Sequence, residues 1–308
     1  MQIYLPIAEL PVNMFLLLAL GAAVGFVSGM FGVGGGFLLT PFLMFMGIPA
    51  GVAVATASAQ IAASSVTGAL TYWRRRALDP KLGGILIGGG LVGTFLGIQF
   101  FNLMRRLGHL DLIISLSYVT LLVGVGTLML IESLRAMRAR FTGKRVSARK
   151  AHAHKWYEAL PGKLRFQQSR LYISIIPLIF TGILFGFIGA VLGIGGGFML
   201  VPALIYVFRV PAAVVVGTSQ FQILSTMLIA TVMHAISSGA VDIVLALILI
   251  VGGVFGAQMG VRAGQRLQGE HFRLLLAVLI LGVGARFVAD LIVKPDERFS
   301  IAAAEQRP

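Results

Sequence analysis

Apolar residues run along this chain in long blocks, and the order of the blocks repeats. Charged and turn-forming breaks divide each half of the 308 residues into five segments. The first half reads Val12–Met30, a short Gly36–Met46, Gly51–Trp73, Leu82–Met104 and Leu110–Ser133. The second reads Leu171–Val191, a short Gly197–Phe208, Ala212–Ser237, Val241–Ala263 and Phe272–Val293. Between Glu9 and Arg74 there is no charged residue, a stretch long enough for more than one span of about 20 residues. The pattern predicts an all-α polytopic membrane protein of two repeats, with a half-length helix as the second segment of each.

The repeat is also visible residue by residue. Gly32-Val33-Gly34-Gly35-Gly36, followed by Phe37 and Pro41, returns as Gly193-Ile194-Gly195-Gly196-Gly197, followed by Phe198 and Pro202. Further on, Pro49 matches Pro211, Thr56 matches Thr218, Gln60 matches Gln222, and Tyr72 matches His234. Gly90, Gly93 and Gly97 match Gly253, Gly256 and Gly260 at the same spacing. This is a duplication. It divides the chain into a first transmembrane repeat (1–134), a linker (135–170), a second repeat (171–295) and a C-terminal tail (296–308).

Charge sets the expected orientation. The segment Arg135–Arg170 holds 11 Lys or Arg against one acid, Glu158, so the positive-inside rule makes it cytoplasmic. Arg74, Arg75, Arg76, Lys81, Arg209, Arg262, Arg266 and Arg273 then also fall inside, while Arg105, Arg106, Arg286, Lys294 and Arg298 fall outside. An odd number of segments per half gives the two halves opposite orientations, an inverted-topology repeat. The net charge of +14 belongs to these loops and to anionic lipid rather than to nucleic acid. The chain has no cysteine, which removes disulfides and thiolate chemistry. His152 and His154 in the linker are too few to define a metal site. No cofactor is expected, and no nucleophile or metal cluster marks an enzyme. His234 reads as a structural or interfacial histidine and Asp242 as interfacial, with no buried acid placed to carry protons.

The candidate chemistry lies at the glycine breaks. A helix N-terminus presents unpaired N–H groups and a positive dipole end, and glycine lets a ligand approach the backbone. Gly34, Gly35 and Gly36 open one half-helix; Gly195, Gly196 and Gly197 open the other. Matching interrupted segments in two halves point to a transporter's binding site. The following helices add uncharged donors at Thr56, Ser58 and Gln60, and at Thr218, Ser219 and Gln222. Residues four apart share a helical face. Such groups suit a small anion held weakly enough to be released.

The paired G-[VI]-G-G-G-F-x-x-x-P motifs and the T-x-x-x-Q segments resemble the TauE/SafE family, also called the sulfite exporter or TSUP family, over about Phe15 to Val293. The resemblance implies a multi-pass transporter of the bacterial inner membrane that moves sulfite or organosulfonate-type anions. Export is favoured over import, because an inside-negative potential drives an anion outward by about 2.3 kcal/mol per charge per 100 mV. Alternating access is the expected mechanism, and coupling to protons stays open. An anion channel using the same site, or a membrane scaffold without transport, are the alternatives. The oligomeric state is not legible.

Overall fold

The computed structural model describes residues 2–31, 34–141, 161–166, 168–169, 171–264 and 270–292. Gly32, Val33, His152, His154, Trp156 and the tail 296–308 lie outside the described residues. The first half contains strands β1 (Gln2–Leu5) and β2 (Leu10–Asn13), then helices α1 (Met14–Phe31), α2 (Gly36–Phe45), α3 (Ala50–Arg74), α4 (Pro80–Arg106) and α5 (Leu110–Phe141). The second contains β3 (Lys163–Phe166) and β4 (Leu171–Ser174), then α6 (Ile175–Leu192), α7 (Gly197–Pro202) with a π-helical turn Ala203–Val207, α8 (Ala212–Ser237), α9 (Ile243–Gly264) and α10 (Glu270–Ile292). Among the described residues, six helices are long and apolar enough to cross a membrane: α3, α4, α6, α9 and the larger parts of α5 and α8. The chain is an all-α polytopic membrane protein with two short antiparallel β-hairpins.

The helices pair across the two halves rather than within them. α1 packs on α9, α6 on α4, α3 on α8 and α5 on α10. Glycines permit the first two seams. A Cβ on Gly21 would lie 2.7 Å from the Leu249 carbonyl oxygen, and one on the equivalent Gly182 would lie 2.6 Å from that of Leu86. One turn on, Cβ atoms at Gly25 and Gly186 would collide with the backbone carbonyls of Gly253 and Gly90. Backbone thus meets backbone, the close approach that small residues allow in membrane helices. The outer pair is tied inward by Tyr118, whose hydroxyl donates to the Leu192 carbonyl at 2.6 Å and whose ring stacks on Phe287.

Two sequence expectations need correction. Val12 lies within β2 and Leu171 opens β4, so both stand in strands rather than helices, because each first helix is preceded by a hairpin. α5 runs on to Phe141 and β3 spans Lys163–Phe166, so both enter the segment 135–170 expected from the sequence to be a linker. Asp242 is fully buried rather than interfacial, and Asp79, its counterpart, is 2% exposed. Donors surround both carboxylates. Asp79 accepts from Leu82 N (3.2 Å), Ser169 N (3.1 Å) and Ser169 Oγ (2.7 Å), so it caps α4 and anchors the β3–β4 turn. Asp242 accepts from Leu245 N (3.1 Å), Ile7 N (2.9 Å) and Ala8 N (3.4 Å), so it caps α9 and anchors the β1–β2 turn. Each half's hairpin therefore docks on a helix of the other half.

Removing either carboxylate strands buried donors. Asp79→Ala and Asp242→Ala should each cost about 2–4 kcal/mol, from charge-assisted hydrogen bonds lost and N–H groups left bare. The check is the unfolding midpoint of purified protein in detergent. Asn at either position should restore part of the loss, since its carbonyl still caps.

Candidate functional site

The glycine breaks come together at the centre. Gly34 and Gly35 take φ values of 89° and 58°, and Gly195 and Gly196 take 80° and 71°, a left-handed conformation that side chains other than glycine resist. Gly35 and Gly196 are the N-caps of α2 and α7. The Gly35 carbonyl accepts from Leu38 N and Leu39 N, and that of Gly196 from Met199 N and Leu200 N. A Cβ on Gly36 would collide with the Gly193 carbonyl oxygen, so one motif lies against the other. Phe37 and Phe198, the residues after each motif, stack with centroids 4.4 Å apart. The two half-helices begin face to face. Apolar side chains close the space: Ile61 and Ile223 would lie 3.1 and 3.0 Å from a Cβ on Gly195, and Ile223 3.3 Å from one on Gly34.

Gln60 and Gln222 stand next to those isoleucines but turn outward from the motifs. Gln60 lies over Gly253 of α9, where its Nε2 occupies the space of a Cβ. Gln222 lies over Gly90 of α4, with Nε2 3.1 Å from where a Cβ would be. They are 0% and 1% exposed, and neither amide oxygen nor amide nitrogen has a hydrogen-bond partner in either residue. Leaving a buried polar group unpaired costs about 1–3 kcal/mol. Two such amides at matched positions keep their donors and acceptors available for a hydrogen-bonding partner.

The remaining candidates divide. Thr56 Oγ1 accepts from Asp242 N at 3.1 Å, and Thr218 Oγ1 accepts from Asp79 N at 3.1 Å. Both threonines thus tie α3 and α8 to the capped helix starts. Ser58 Oγ donates to Val54 O, and Ser219 Oγ to Val216 O, within their own helices. Two residues outside the expected set reach the first glycine break. Gln220 donates from Nε2 to the Ser28 carbonyl at 3.1 Å, while its Oε1 and the Ser28 hydroxyl have no partner. Ser28 Cβ would lie 3.0 Å from a Cβ on Gly35. The signal for Gln220 was its place in the Thr218–Gln222 run; Ser28 carried none. The second break lacks this polar flank, because Gly189 stands where the first half has Ser28. His234 is structural: it is buried, its Nε2 is 3.1 Å from the Ala190 carbonyl oxygen, and its ring sits edge-on to Phe101. Among the described residues no group of His, Cys, Asp and Glu could hold a metal ion.

Comparison with known proteins agrees with this architecture. The family model described as Sulfite exporter TauE/SafE matches residues 17–287. The Probable membrane transporter protein YjnA of Bacillus subtilis is 27% identical over 275 residues, covering 88% of this chain and 98% of its own. The Probable membrane transporter protein YunE of the same organism is 27% identical over 290 residues, covering 89% and 97%. The Probable membrane transporter protein MJ0441 of Methanocaldococcus jannaschii is 25% identical over 292 residues, covering 89% and 94%. No solved structure matches the chain.

The central geometry predicts a contrast between glycines. Gly196→Ala forces a side chain into a left-handed conformation and to 2.7 Å from the Phe185 carbonyl oxygen. The backbone term alone is about 1–2 kcal/mol. Gly84, inside α4 with nothing within 4 Å of a Cβ, should accept alanine with an unchanged or raised unfolding midpoint. Thermal unfolding of the two variants side by side checks this.

Proposed function

The chain belongs to the Sulfite exporter TauE/SafE family, and from that premise we propose that it is a secondary transporter of small sulfur oxyanions or organosulfonates. It would work in the inner membrane with residues 135–170 on the cytoplasmic side and the two halves inverted. The observation that carries the reading is the matched pair of buried, unpartnered amides, Gln60 and Gln222. A sulfonate or sulfite oxygen is a strong acceptor, and a carboxamide offers it two N–H donors without the cost of a fixed charge in lipid. The Ser28 hydroxyl extends the donor set toward the first break at Gly34–Gly36, where the Gly36 N–H is already given to the Gly34 carbonyl, and Gly195–Gly197 face it from the other half.

Weak donors also suit the cycle. A substrate held by amides and backbone N–H groups can be released, whereas a buried arginine would retain it. Ile61, Ile223, Phe37 and Phe198 fill the centre, so the substrate would gain access only when α3 and α8 shift relative to α9 and α4. Alternating access by movement of one half against the other fits that requirement. Outward movement of an anion is favoured by an inside-negative potential and needs no coupled ion, which makes export the proposed direction.

The test separates function from stability by sign. Leucine approximates glutamine in volume and removes both unpaired polar atoms. Gln60→Leu/Gln222→Leu should therefore leave the unfolding midpoint unchanged or higher, yet reduce flux by about tenfold or more, since each lost hydrogen bond to a charged ligand is worth about 1.5–3 kcal/mol. Flux is measured in proteoliposomes with sulfite, sulfate, sulfoacetate, taurine and acetate. Saturation with concentration distinguishes a transporter from a channel. A folded double variant with wild-type flux would remove these residues from the site. A wild-type protein that moves none of the five anions would remove the substrate assignment.

A further inference from the structure

α3 and α9 run side by side in the same direction. Thr56 meets Asp242 near their starts, Gln60 meets Gly253 midway, and both helices end at one groove of about 350 Å³. The polar lining of that groove is Thr67, Thr71, Arg75, Gln258 and Arg262, with no acid in the lining among the described residues. Gln60, Ser64, Thr67 and Thr71 are spaced by four, three and four residues, so they lie along one face of α3. Thr67 is seven residues beyond Gln60, about 10 Å along the axis at 1.5 Å per residue. The groove is thus the outer end of the seam that holds the Gln60 amide.

The other half has a counterpart at the opposite end of the fold. α8 and α4 also run in one direction, from Thr218 and Asp79 through Gln222 and Gly90 to a groove of about 320 Å³ lined by Asn102, Arg105, Arg106 and Ser237. α4 starts at Pro80, just past Arg75, and ends at Arg106, which places the two grooves at its opposite ends. They differ in one respect. Arg105 donates from Nη1 to the Ser238 carbonyl at 2.5 Å and straps α4 to the end of α8. Arg75 and Arg262 flank the first groove and are exposed, as Arg105 and Arg106 are at the second.

We propose that the groove between Arg75 and Arg262 is an access subsite for the transported oxyanion, the outer step of a path along the α3–α9 seam to Gln60. This rests on the transport reading above. Two guanidinium forks can each present paired N–H donors to a sulfonate or sulfite. Gln258 adds an amide. Thr71 already donates its hydroxyl to the Thr67 carbonyl at 2.7 Å, so it lines the path without adding a donor. Solvent exposure keeps the binding weak, as a first station requires, and screening with a Debye length of about 8 Å at physiological salt confines it to close range. An anionic lipid headgroup has the same chemistry. The run of polar positions from the groove inward to Gln60 favours the small anion.

The test uses the full chain carrying Arg75→Gln/Arg262→Gln. Both side chains are exposed, so the variant should fold. Flux of sulfite is measured in proteoliposomes of neutral phosphatidylcholine in which one orientation is selected by a membrane-impermeant blocker. The expected result is a kcat/KM about tenfold lower in both directions, as microscopic reversibility requires of an uncoupled carrier, carried by a higher KM from the side bearing residues 75 and 262 and by a lower kcat from the other side, in line with the loss of two charge-assisted contacts. An unchanged KM, or one raised equally from both sides, overturns the subsite. A change that appears only when phosphatidylglycerol is present assigns the groove to a lipid headgroup and likewise overturns it. If wild type carries no flux, the transport reading falls by itself, and sulfite-dependent thermal stabilisation in neutral nanodiscs decides the groove. Stabilisation lost in the arginine variant supports an anion site there; stabilisation absent from wild type or kept in the variant overturns it.

Discussion

The contact on which this fold depends is backbone against backbone along two glycine seams. Gly21 and Gly25 of α1 admit the main chain of α9, and Gly182 and Gly186 of α6 admit that of α4. In lipid there is little hydrophobic drive to bring helices together, so close packing and polar contacts must supply the association. The seams exchange partners between the halves: each half's first helix rests on the other half's fourth. An isolated half's first helix would lack the partner that its glycines are shaped to meet. The aspartates reinforce this exchange. Asp79 and Asp242 hold the turn of the opposite half's hairpin, so the interlock is polar at the ends and apolar along its length.

Interlocking explains how two breaks in the main chain are tolerated at depth. Irregular backbone within a membrane must be buried in protein or line a cavity. Here each glycine motif is covered by the other, with Gly36 seated on the Gly193 carbonyl and Phe37 stacked on Phe198. The matching of the two glycine motifs is thus a physical requirement. A break in one half alone would have no matching concavity to lie in.

Much of this was legible in the sequence, and what was not has identifiable causes. The helices, the half-helices after the glycines and the matched Gln60 and Gln222 follow from apolar periodicity and a fixed offset. The hairpins were not legible, because their strands are four residues long and run directly into apolar helices. Asp79 was overlooked because it follows Arg74, Arg75 and Arg76, a neighbourhood that reads as solvated loop. Only the fold brings Ser169 and Thr218 to it. Thr56 and Thr218 looked like ligand donors by composition, yet each accepts from an aspartate's backbone N–H. Ser28 could not be singled out, since its significance comes from contact with Gly35 and Gln220 across 192 positions of chain.

The two seams have the same construction with opposite sense, and that limits how the molecule could move. Each is latched at one end by a threonine on an aspartate's backbone N–H and by a hairpin docked on the carboxylate. Each ends, beyond its glutamine, at a groove bordered by arginines. A seam held at one end opens most easily at the other. The latched end of α3–α9 lies on the same side as the groove end of α8–α4, which is held only by the Arg105 strap to Ser238. Opening one seam would therefore expose its glutamine to one side only, and opening the other would expose its counterpart to the opposite side. In the proposed cycle, alternation would follow from the arrangement of latches, and the apolar centre formed by Phe37, Phe198, Ile61 and Ile223 would be the barrier that the substrate crosses between the two amides.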